Sequence, residues 1–332
     1  MQYEYYYMRL SKSEKDIYKE LHEGVKEFKP LVSFKKHDGV NYDRVVRALE
    51  FDHPELYYWD SRVVKSKTRG NDAALKIDYF IEQNEVNRNA PKVEKGITSI
   101  LGKCNSQFGS EYDRFKSIYD CMVRNINYVN AIGNSDRDSA YAHTILGVFE
   151  KHSAVCDGIS KAFKLVLERA GIDCIVVLGA KRTEGTISDG HAWNIIWIDD
   201  KPCHVDLTWA IEQSKNGTVN HDYVGLTDKQ ITKDHSIDSL LTVPKCKTDE
   251  FDYYVRNNAV IKSEDALRKY LKANASKKPF EINVRLVFEC NLQEIEKKAT
   301  DYIVAHYVIK SQHIKLTTKR RDEQGILVIA GE

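Results

Sequence analysis

The chain has 332 residues, of which 42% are hydrophobic and 30% are charged, a composition that indicates a globular protein and excludes a disordered one. Lys and Arg together number 50 and Asp and Glu 49, so the net charge of +1 disfavours a nucleic-acid-binding protein. No apolar run approaches the roughly 20 residues that a membrane helix needs, so no membrane insertion is expected.

The first third of the chain is predicted to be mainly helical. Ser11 and Glu14 make a capping box, and apolar residues then recur at helical spacing up to Phe28. The same kinds of pattern predict helices over residues 42–52, 89–104 and 111–129, strands over 54–64 and 74–81, and a polar loop over 131–143.

The middle of the chain is predicted to carry one helix followed by antiparallel strands. The helix begins at Cys156, shows an apolar stripe up to Ala170 and ends at Gly171, a typical residue just after a helix C-terminus. The rest of this region is predicted in order as a strand at 174–180, a polar loop at 181–190, and a hairpin of strands 191–199 and 203–210.

The C-terminal part is predicted to alternate helices and strands. The predicted elements are helices over residues 263–273 and 291–309, the second capped by Asn291, and strands over 280–288, 313–320 and 325–331. The basic run Lys319-Arg320-Arg321 lies near the last turn, where a solvated hairpin tip explains it better than a binding patch.

Cys156 stands at the first turn of its predicted helix, where a thiol can become a nucleophile. Unpaired N–H groups and aligned peptide dipoles place partial positive charge there. That charge lowers the pKa of a cysteine, as does a neighbouring imidazolium. Because free cysteine is also among the most buried residue types, position alone leaves ordinary core packing as the alternative.

His191 and Asp206 on the predicted hairpin are the partners that such a thiol needs. Asp206 lies in an otherwise apolar strand, where a carboxylate needs a partner because burying an unpaired charge is costly. With the turn at 199–202, His191 lies opposite about position 209, so a bulge or a longer loop is needed to bring Asp206 level with it. A hydrogen bond from His191 Nδ1–H would then orient the ring, giving a nucleophile, a base and an orienting acid.

These blocks resemble the transglutaminase-like superfamily. The sequence "AVCDGISKAFKLVLERAGI" precedes "HAWNIIWIDDKPCHVDLTW", so a helix-start cysteine, an HAWN-type histidine and an HVDxTW aspartate follow one another at spacings of 35 and 15 residues. The resemblance to Gram-positive bacterial members extends from the opening "EYYYMRLSKSEK" to "FDYYVRNNAVI". Ile159 and Ala210 depart from the family pattern, which puts substrate contacts in doubt but not the three proposed catalytic residues.

The resemblance implies an α+β fold with a transglutaminase-like, papain-like core. In this core a helix bearing the cysteine packs on an antiparallel sheet bearing the histidine and the aspartate. The implied regions are a mainly helical N-terminal region over residues 1–110, a catalytic core over 111–245 and a small α/β extension over 246–332. Cys156, His191 and Asp206 are the expected catalytic residues.

The expected reaction is acyl transfer at a peptide or carboxamide carbonyl through a thioester. Hydrolysis, as by a protease, isopeptidase or amidase, is preferred, and the alternatives are amine transfer to a protein glutamine and a non-catalytic binding module that keeps the fold. A protein or peptide is the expected partner, with no cofactor, and the oligomeric state stays open. Trp193 and Trp209 are candidate walls of a substrate cleft, although core packing explains them equally well, and Tyr141 is a candidate oxyanion donor beside the Cys156 backbone N–H.

The cysteines and the N-terminus bear on metal binding and location. The seven cysteines form no CxxC pair, so reduced thiols are expected. Cys174, Cys203 and His204 make a weak zinc candidate, because neighbours on a strand point to opposite faces, and no metal is expected. The sequence as given shows no signal peptide, so we expect a cytoplasmic protein or an exported one whose leader has been removed.

Overall fold

The structure is a computed structural model that describes residues 3–104, 109–129, 136–183, 186–214, 218–309 and 313–332. Within these residues, helices combine with mainly antiparallel sheets, which confirms the predicted α+β class. The described helices include none that is long and apolar enough to cross a membrane. All seven cysteines lie in the described ranges, and each is a free thiol.

The N-terminal region consists of helices around a small sheet. Its elements are α1 (Tyr5–Arg9), α2 (Lys12–Lys26), β1 (Leu31–Lys35), α3 (Tyr42–Asp52), β2 (Lys65–Arg69), β3 (Asp72–Lys76), α4 (Gln83–Lys103) and α5 (Glu111–Asn125). The predicted capping box forms, with Ser11 Oγ accepting the Glu14 N–H and Glu14 Oε2 accepting the Ser11 N–H. β1, β3 and β2 pair antiparallel in that order.

The strand predicted over residues 54–64 is wrong. This segment forms turns and a short 3₁₀ helix at Ser61–Val63, and Trp59 pairs with Tyr79 in an isolated bridge. The aromatic side chains at 57–59 are buried in the core. Their composition therefore reflects core packing and not a pleated backbone.

The central region builds the sheet that carries the candidate site. Its elements are β4 (Asn127–Tyr128), α6 (Asp136–Ala142), α7 (Ile145–Lys151), β5 (Ser153–Ala154), α8 (Cys156–Arg169), β6 (Cys174–Thr183), β7 (Thr186–Ile198), β8 (Lys201–Val205), α9 (Leu207–Gln213), β9 (Val224–Leu226), α10 (Asp228–Ile231) and β10 (His235–Ile237). β10, β6, β7, β8 and β9 form one antiparallel sheet in that order. α8 packs against β6 and β7, so the helix that begins at Cys156 lies against the strand that carries His191.

Two loops predicted in this region are wrong. Of the loop predicted over 131–143, residues 136–142 form α6, and 131–135 lie outside the described residues. The loop predicted over 181–190 is mostly an extension of the β6–β7 hairpin, of which residues 184–185 lie outside the described part. Ser139, Lys181 and Arg182 are half-exposed polar residues of these regular elements, and segments without apolar periodicity give no sign of a helix or strand.

Two hydrophobic cores organise the molecule. The first joins buried residues from Tyr5 to Phe251, and the second joins buried residues from Tyr254 to Ile329. The N-terminal helices therefore share the core of the central sheet. Residues 253–332, named the C-terminal unit from here on, pack around a core of their own.

The C-terminal unit is a small α/β layer. Its elements are α11 (Tyr253–Arg256), β11 (Val260–Ile261), α12 (Glu264–Asn274), β12 (Phe280–Leu286), α13 (Leu292–Ile309), β13 (Leu316–Arg321) and β14 (Ile326–Gly331). The sheet order is β11, β12, β14, β13. The expected solvated tip between the last two strands is correct for Lys319 and Arg320, which are exposed. It is wrong for the rest of the turn, because Gln324 is 1% exposed and Arg321 pairs with the buried Asp222 of the central region.

Candidate active site

The start of α8 is held tightly against the segment that precedes it. The Val155 N–H donates to the Ala142 carbonyl, and a Cβ on Gly158 would lie 2.4 Å from that same oxygen. Only glycine allows so close an approach of the first helical turn. Cys156, the first residue of α8, is thereby placed partly exposed at the edge of the core.

Hydrogen bonds attach this end of α8 to β7. Cys156 and Ser160 are four residues apart and so share a helix face. Ser160 Oγ donates to the Ala192 carbonyl at 3.1 Å, and Asn194 Nδ2 donates to the Ser160 carbonyl at 3.0 Å. The Ala192 N–H hydrogen-bonds the Cys156 sulfur. The thiol therefore lies beside the residue that directly follows His191.

Asp206 reaches His191 from a helix cap and not from a strand. β8 ends at Val205, and Asp206 is the N-cap of α9, where its Oδ1 accepts the Trp209 N–H at 3.0 Å. This turn leaves Oδ2 free to meet His191 Nε2 at 2.7 Å. The expected strand at Asp206 and the expected Nδ1 contact are both wrong. The chain turns into a helix, which replaces the bulge that the register seemed to require.

The hydrogen bond between His191 and Asp206 determines the imidazole tautomer. A carboxylate only accepts, so Nε2 of His191 carries the proton. In a neutral ring Nδ1 then keeps its lone pair. That atom is buried and has no hydrogen-bond partner among the described residues. Nδ1 is therefore the ring atom that can accept a proton, and it belongs to the residue next to the one that contacts the thiol.

The Cys156 thiol is not acidified by its helix position. Burial, followed by the charge of the neighbouring Asp157, raises the pKa of Cys156 to about 11. The hydrogen bond from Ala192 opposes this rise but does not cancel it. The expectation of a lowered pKa is therefore not met, and at neutral pH the thiol keeps its proton.

Asp157 belongs to a buried charge cluster that joins α8 to α3. Its Oδ1 contacts His143 Nδ1 at 2.8 Å and its Oδ2 lies 3.3 Å from Lys161 Nζ. Lys161 Nζ also donates to Glu50 Oε1 on α3 at 2.7 Å. Burial alone would raise the pKa of Asp157, but the Lys161 and His143 charges outweigh it and the net direction is down. Asp157 therefore stays anionic beside the thiol.

A second histidine, His235, completes the site and was not predicted from the sequence. Its Nε2 lies 3.0 Å from Asp206 Oδ2, and its Nδ1 lies 2.6 Å from Asp234 Oδ1. All three side chains are buried. The feature of the sequence that could have identified His235 is the Asp-His pair at 234–235, which lies within the segment that resembles the family.

The three candidate substrate contacts lie in different environments. Trp193 is fully buried and donates its Nε1–H to His204 Nδ1 at 3.0 Å, so it packs under the site and does not wall a cleft. Trp209 is partly exposed, with its ring 5.8 Å from that of His191. The Tyr141 hydroxyl donates to Glu85 at 2.7 Å, so that proton is not directed at a substrate oxyanion.

Two clusters bring enough donor atoms together for a metal ion. In the first, atoms of His191, Asp206 and His235 lie within 4.8 Å of one another. Here both His235 nitrogens face carboxylates and so lack a free lone pair. In the second, His204 Nδ1 accepts from Trp193, so its Nε2 carries a proton toward Asp228 and is not a ligand either. The donor chemistry of both clusters fits hydrogen bonding better than metal binding.

Comparison with known proteins finds similarity in the central part of the chain. Residues 98–207 match a family model described as the Transglutaminase-like superfamily. The chain is 24% identical over 162 residues to mouse kyphoscoliosis peptidase and 21% identical over 161 residues to the human protein. Each match covers 46% of this chain but 23% of the relative, so this chain spans only a small part of those proteins.

Solved structures show weaker similarity. A TGase crystal structure is 16% identical, with 54% of this chain and 51% of that chain covered, at a TM-score of 0.31. A candidate cysteine protease from Cytophaga hutchinsonii is 10% identical, with 44% and 61% covered, at a TM-score of 0.28.

Proposed function

We propose that this chain, which carries a domain of the transglutaminase-like superfamily over residues 98–207, is an enzyme that hydrolyses peptide or carboxamide bonds through a cysteine thioester. Cys156 is the proposed nucleophile, His191 the base and acid, and Asp206 the orienting group. One observation carries the proposal. His191 Nε2–H is bound to Asp206 at 2.7 Å, which leaves the buried Nδ1 lone pair to take the thiol proton.

The neutral thiol determines the order of the proposed steps. His191 Nδ1 takes the Cys156 proton while the sulfur attacks the carbonyl carbon, so an S–C bond forms and the carbonyl oxygen becomes an oxyanion. The Cys156 N–H, which has no intrahelical acceptor at the first position of α8, is the proposed oxyanion donor. Collapse breaks the C–N bond, His191 gives its proton to the leaving amine, and a thioester remains.

Water is the proposed second substrate. It gives one proton to His191 Nδ1 as its oxygen attacks the thioester carbon. The S–C bond then breaks, the acid is released and the sulfur recovers its proton. An amine in place of water would give transfer instead. The two curated relatives are named peptidases, which supports hydrolysis.

A non-catalytic binding module is the second candidate, favoured by the raised pKa of the Cys156 thiol. A thiol with a pKa of about 11 is a weak nucleophile until a base removes its proton. The two candidates therefore differ in whether the Cys156 proton can pass to His191.

The first prediction is that turnover depends on Cys156 and not on a more acidic thiol. The Cys104 thiol, by hydrogen bonding, lowers the pKa of Cys121 to about 7, so adventitious thiol chemistry would arise at Cys121. With a peptide library for cleavage and a labelled amine for transfer, Cys156→Ala should lose activity by about three orders of magnitude or more. Cys121→Ser should retain it.

The outcomes separate the candidates. Activity that survives in Cys156→Ala, or disappears in Cys121→Ser, would remove the proposed nucleophile. Amine incorporation exceeding cleavage in the wild type would replace hydrolysis by transfer. A wild type with neither signal, and with no thioester trapped on Cys156, would establish the binding module.

A further inference from the structure

His235, the first residue of β10, faces a carboxylate on each side. Its Nε2 lies 3.0 Å from Asp206 Oδ2 and its Nδ1 lies 2.6 Å from Asp234 Oδ1. Carboxylates accept hydrogen bonds and do not donate them, so both ring nitrogens need a proton. A histidine with two protonated nitrogens is an imidazolium, and this one is fully buried.

Aromatic rings surround this imidazolium. The ring centroid of Trp209 lies 4.3 Å from that of His235, that of Trp193 4.9 Å and that of Tyr223 5.6 Å. Aromatic faces attract a cation within about 6 Å. Burial alone would lower the pKa of His235, but its hydrogen bonds to the two carboxylates outweigh burial and raise it.

The resting site needs a cation at this position. Because the Cys156 thiol keeps its proton, His191 receives none from it, and Asp206 would be a buried anion without a charged partner. An uncompensated buried charge costs several kcal/mol. His235 supplies the missing charge whether His191 is neutral or protonated.

The C-terminal unit completes the surroundings of His235. Asp234 Oδ2 accepts hydrogen bonds from the Tyr223 hydroxyl and from Gln324 Nε2, each at 2.8 Å. Gln324, at the β13–β14 turn, is 1% exposed. A continuous chain of hydrogen bonds therefore runs from Gln324 through Asp234, His235 and Asp206 to His191.

We propose that His235 is a positioning residue of the active site, a buried imidazolium that keeps Asp206 ionised and directed at His191 throughout the reaction. This inference rests on the proposed function. The titratable groups around His235 come from each neighbouring element: Lys181 on β6, His191 on β7, His204 on β8, Asp206 before α9, Tyr223 before β9, and Asp234. Lys181, the backbone partner of His235, has its ammonium 3.7 Å from Glu212.

The charge of His235 can be measured in the wild-type protein without any activity. Ring ¹⁵N spectra of the full chain, labelled at histidine, should include an imidazolium signal of His235 that persists well above the ordinary histidine pKa of about 6.5. Loss of that signal in His235→Gln assigns it. A His235 that is neutral at pH 7, with one protonated and one bare nitrogen, would overturn the inference.

The second prediction concerns the pH dependence of Cys156 alkylation. His235→Gln removes a cation whose ring lies 5.4 Å from that of His191, so the transfer of the Cys156 proton to His191 meets less electrostatic repulsion and the thiol loses that proton more easily. The pH of half-maximal alkylation by iodoacetamide should fall by about one unit. His53→Gln is the matched control, since His53 is also buried, lies between Glu4 and Glu55 and has a raised pKa.

Mapping by mass spectrometry in a Cys121→Ser background keeps the acidic Cys121 thiol from obscuring the profile. A His235→Gln profile that superimposes on the wild type, or that shifts to higher pH, would overturn the inference. So would an equal shift in His53→Gln. Failure of the proposed function gives a different result, because His191→Ala would then leave the alkylation of Cys156 unchanged.

Discussion

Asp206 shows how one buried side chain can organise several others. Its Oδ1 accepts from Trp209, and its Oδ2 faces His191 and His235 at once. Burial alone would raise the pKa of Asp206, but the neighbouring imidazoles of His191 and His235 outweigh it, and the net direction is down. Because the Asp206 carboxylate can only accept hydrogen bonds, it determines the tautomer of His191 and, with Asp234, the charge of His235.

The third prediction is that Asp206→Asn lowers kcat/KM for peptide cleavage by about 10²- to 10⁴-fold. An amide at this position must turn an N–H toward one donor, so His191 can no longer be held with its proton on Nε2. Asp52→Asn is a matched control, because Asp52 is also fully buried but accepts the Tyr6 and Tyr7 N–H groups and not an imidazole of the site. A kcat/KM per folded enzyme that falls equally in both variants would contradict the prediction.

At the scale of elements, β10 pairs with β6 beside Gly179, a position where a side chain would not fit. Gly179 on β6 pairs with His191 on one side, and a Cβ there would lie 2.1 Å from the Ser236 carbonyl and 2.6 Å from the Trp193 ring. The close approach of β10 is what brings His235 to Asp206. The sheet edge and the candidate site are therefore built by the same packing.

The fourth prediction compares two glycines next to the site. Gly179→Ala should destabilise the fold by roughly 1–3 kcal/mol through overpacking, and should slow Cys156 alkylation because β10 must move. Gly190→Ala should leave both within experimental error, because nothing lies within 4 Å of a Cβ at that position. Urea unfolding and alkylation rates measure the two effects. Equal behaviour of the two variants would show that the contact at Gly179 does not position β10.

Local pattern predicted the long elements well and the site only in part. The helix that starts at Cys156 and the hairpin that carries His191 follow from periodicity within a few residues. The apolar run after residue 203 could not show where β8 gives way to α9, since an Asp followed by apolar residues suits a strand end or a helix cap equally well. His235 could not be predicted, because its role depends on the pairing of β10 with β6, which is distant in sequence.

At the scale of the whole molecule, the central region is held from two sides by buried polar contacts. On one side Lys161 of α8 lies between Asp157 and Glu50 of α3. On the other, Arg321 and Gln324 of the C-terminal unit reach Asp222 and Asp234. Breaking a buried contact of this kind costs stability, because it removes a partner from a charged group that stays buried. They couple the orientation of the flanking regions to the groups around the thiol.

The last prediction concerns Lys161→Met, which removes the cation shared by α8 and α3. Glu50 keeps its pair with Arg47, and Asp157 keeps its contact with His143. The free energy of unfolding at pH 7 should therefore fall by about 1–3 kcal/mol. The lowered pKa of Asp157 means that its contribution is complete above the unfolded carboxyl pKa of about 4 and is lost as the pH falls from there through the lower folded pKa. The difference between wild type and variant should therefore shrink toward pH 4, where the carboxylates of the variant take up protons and no longer need a cation.

Urea titrations at pH 7 and pH 4 measure this difference. Lys92→Met is the control, because Lys92 pairs with Glu150 at 2.7 Å but is 52% exposed, and an exposed pair contributes under about 1 kcal/mol at either pH. A Lys161→Met effect of the same size at both pH values would mean that packing of the lysine stem, and not its charge, joins α3 to the helix that bears Cys156.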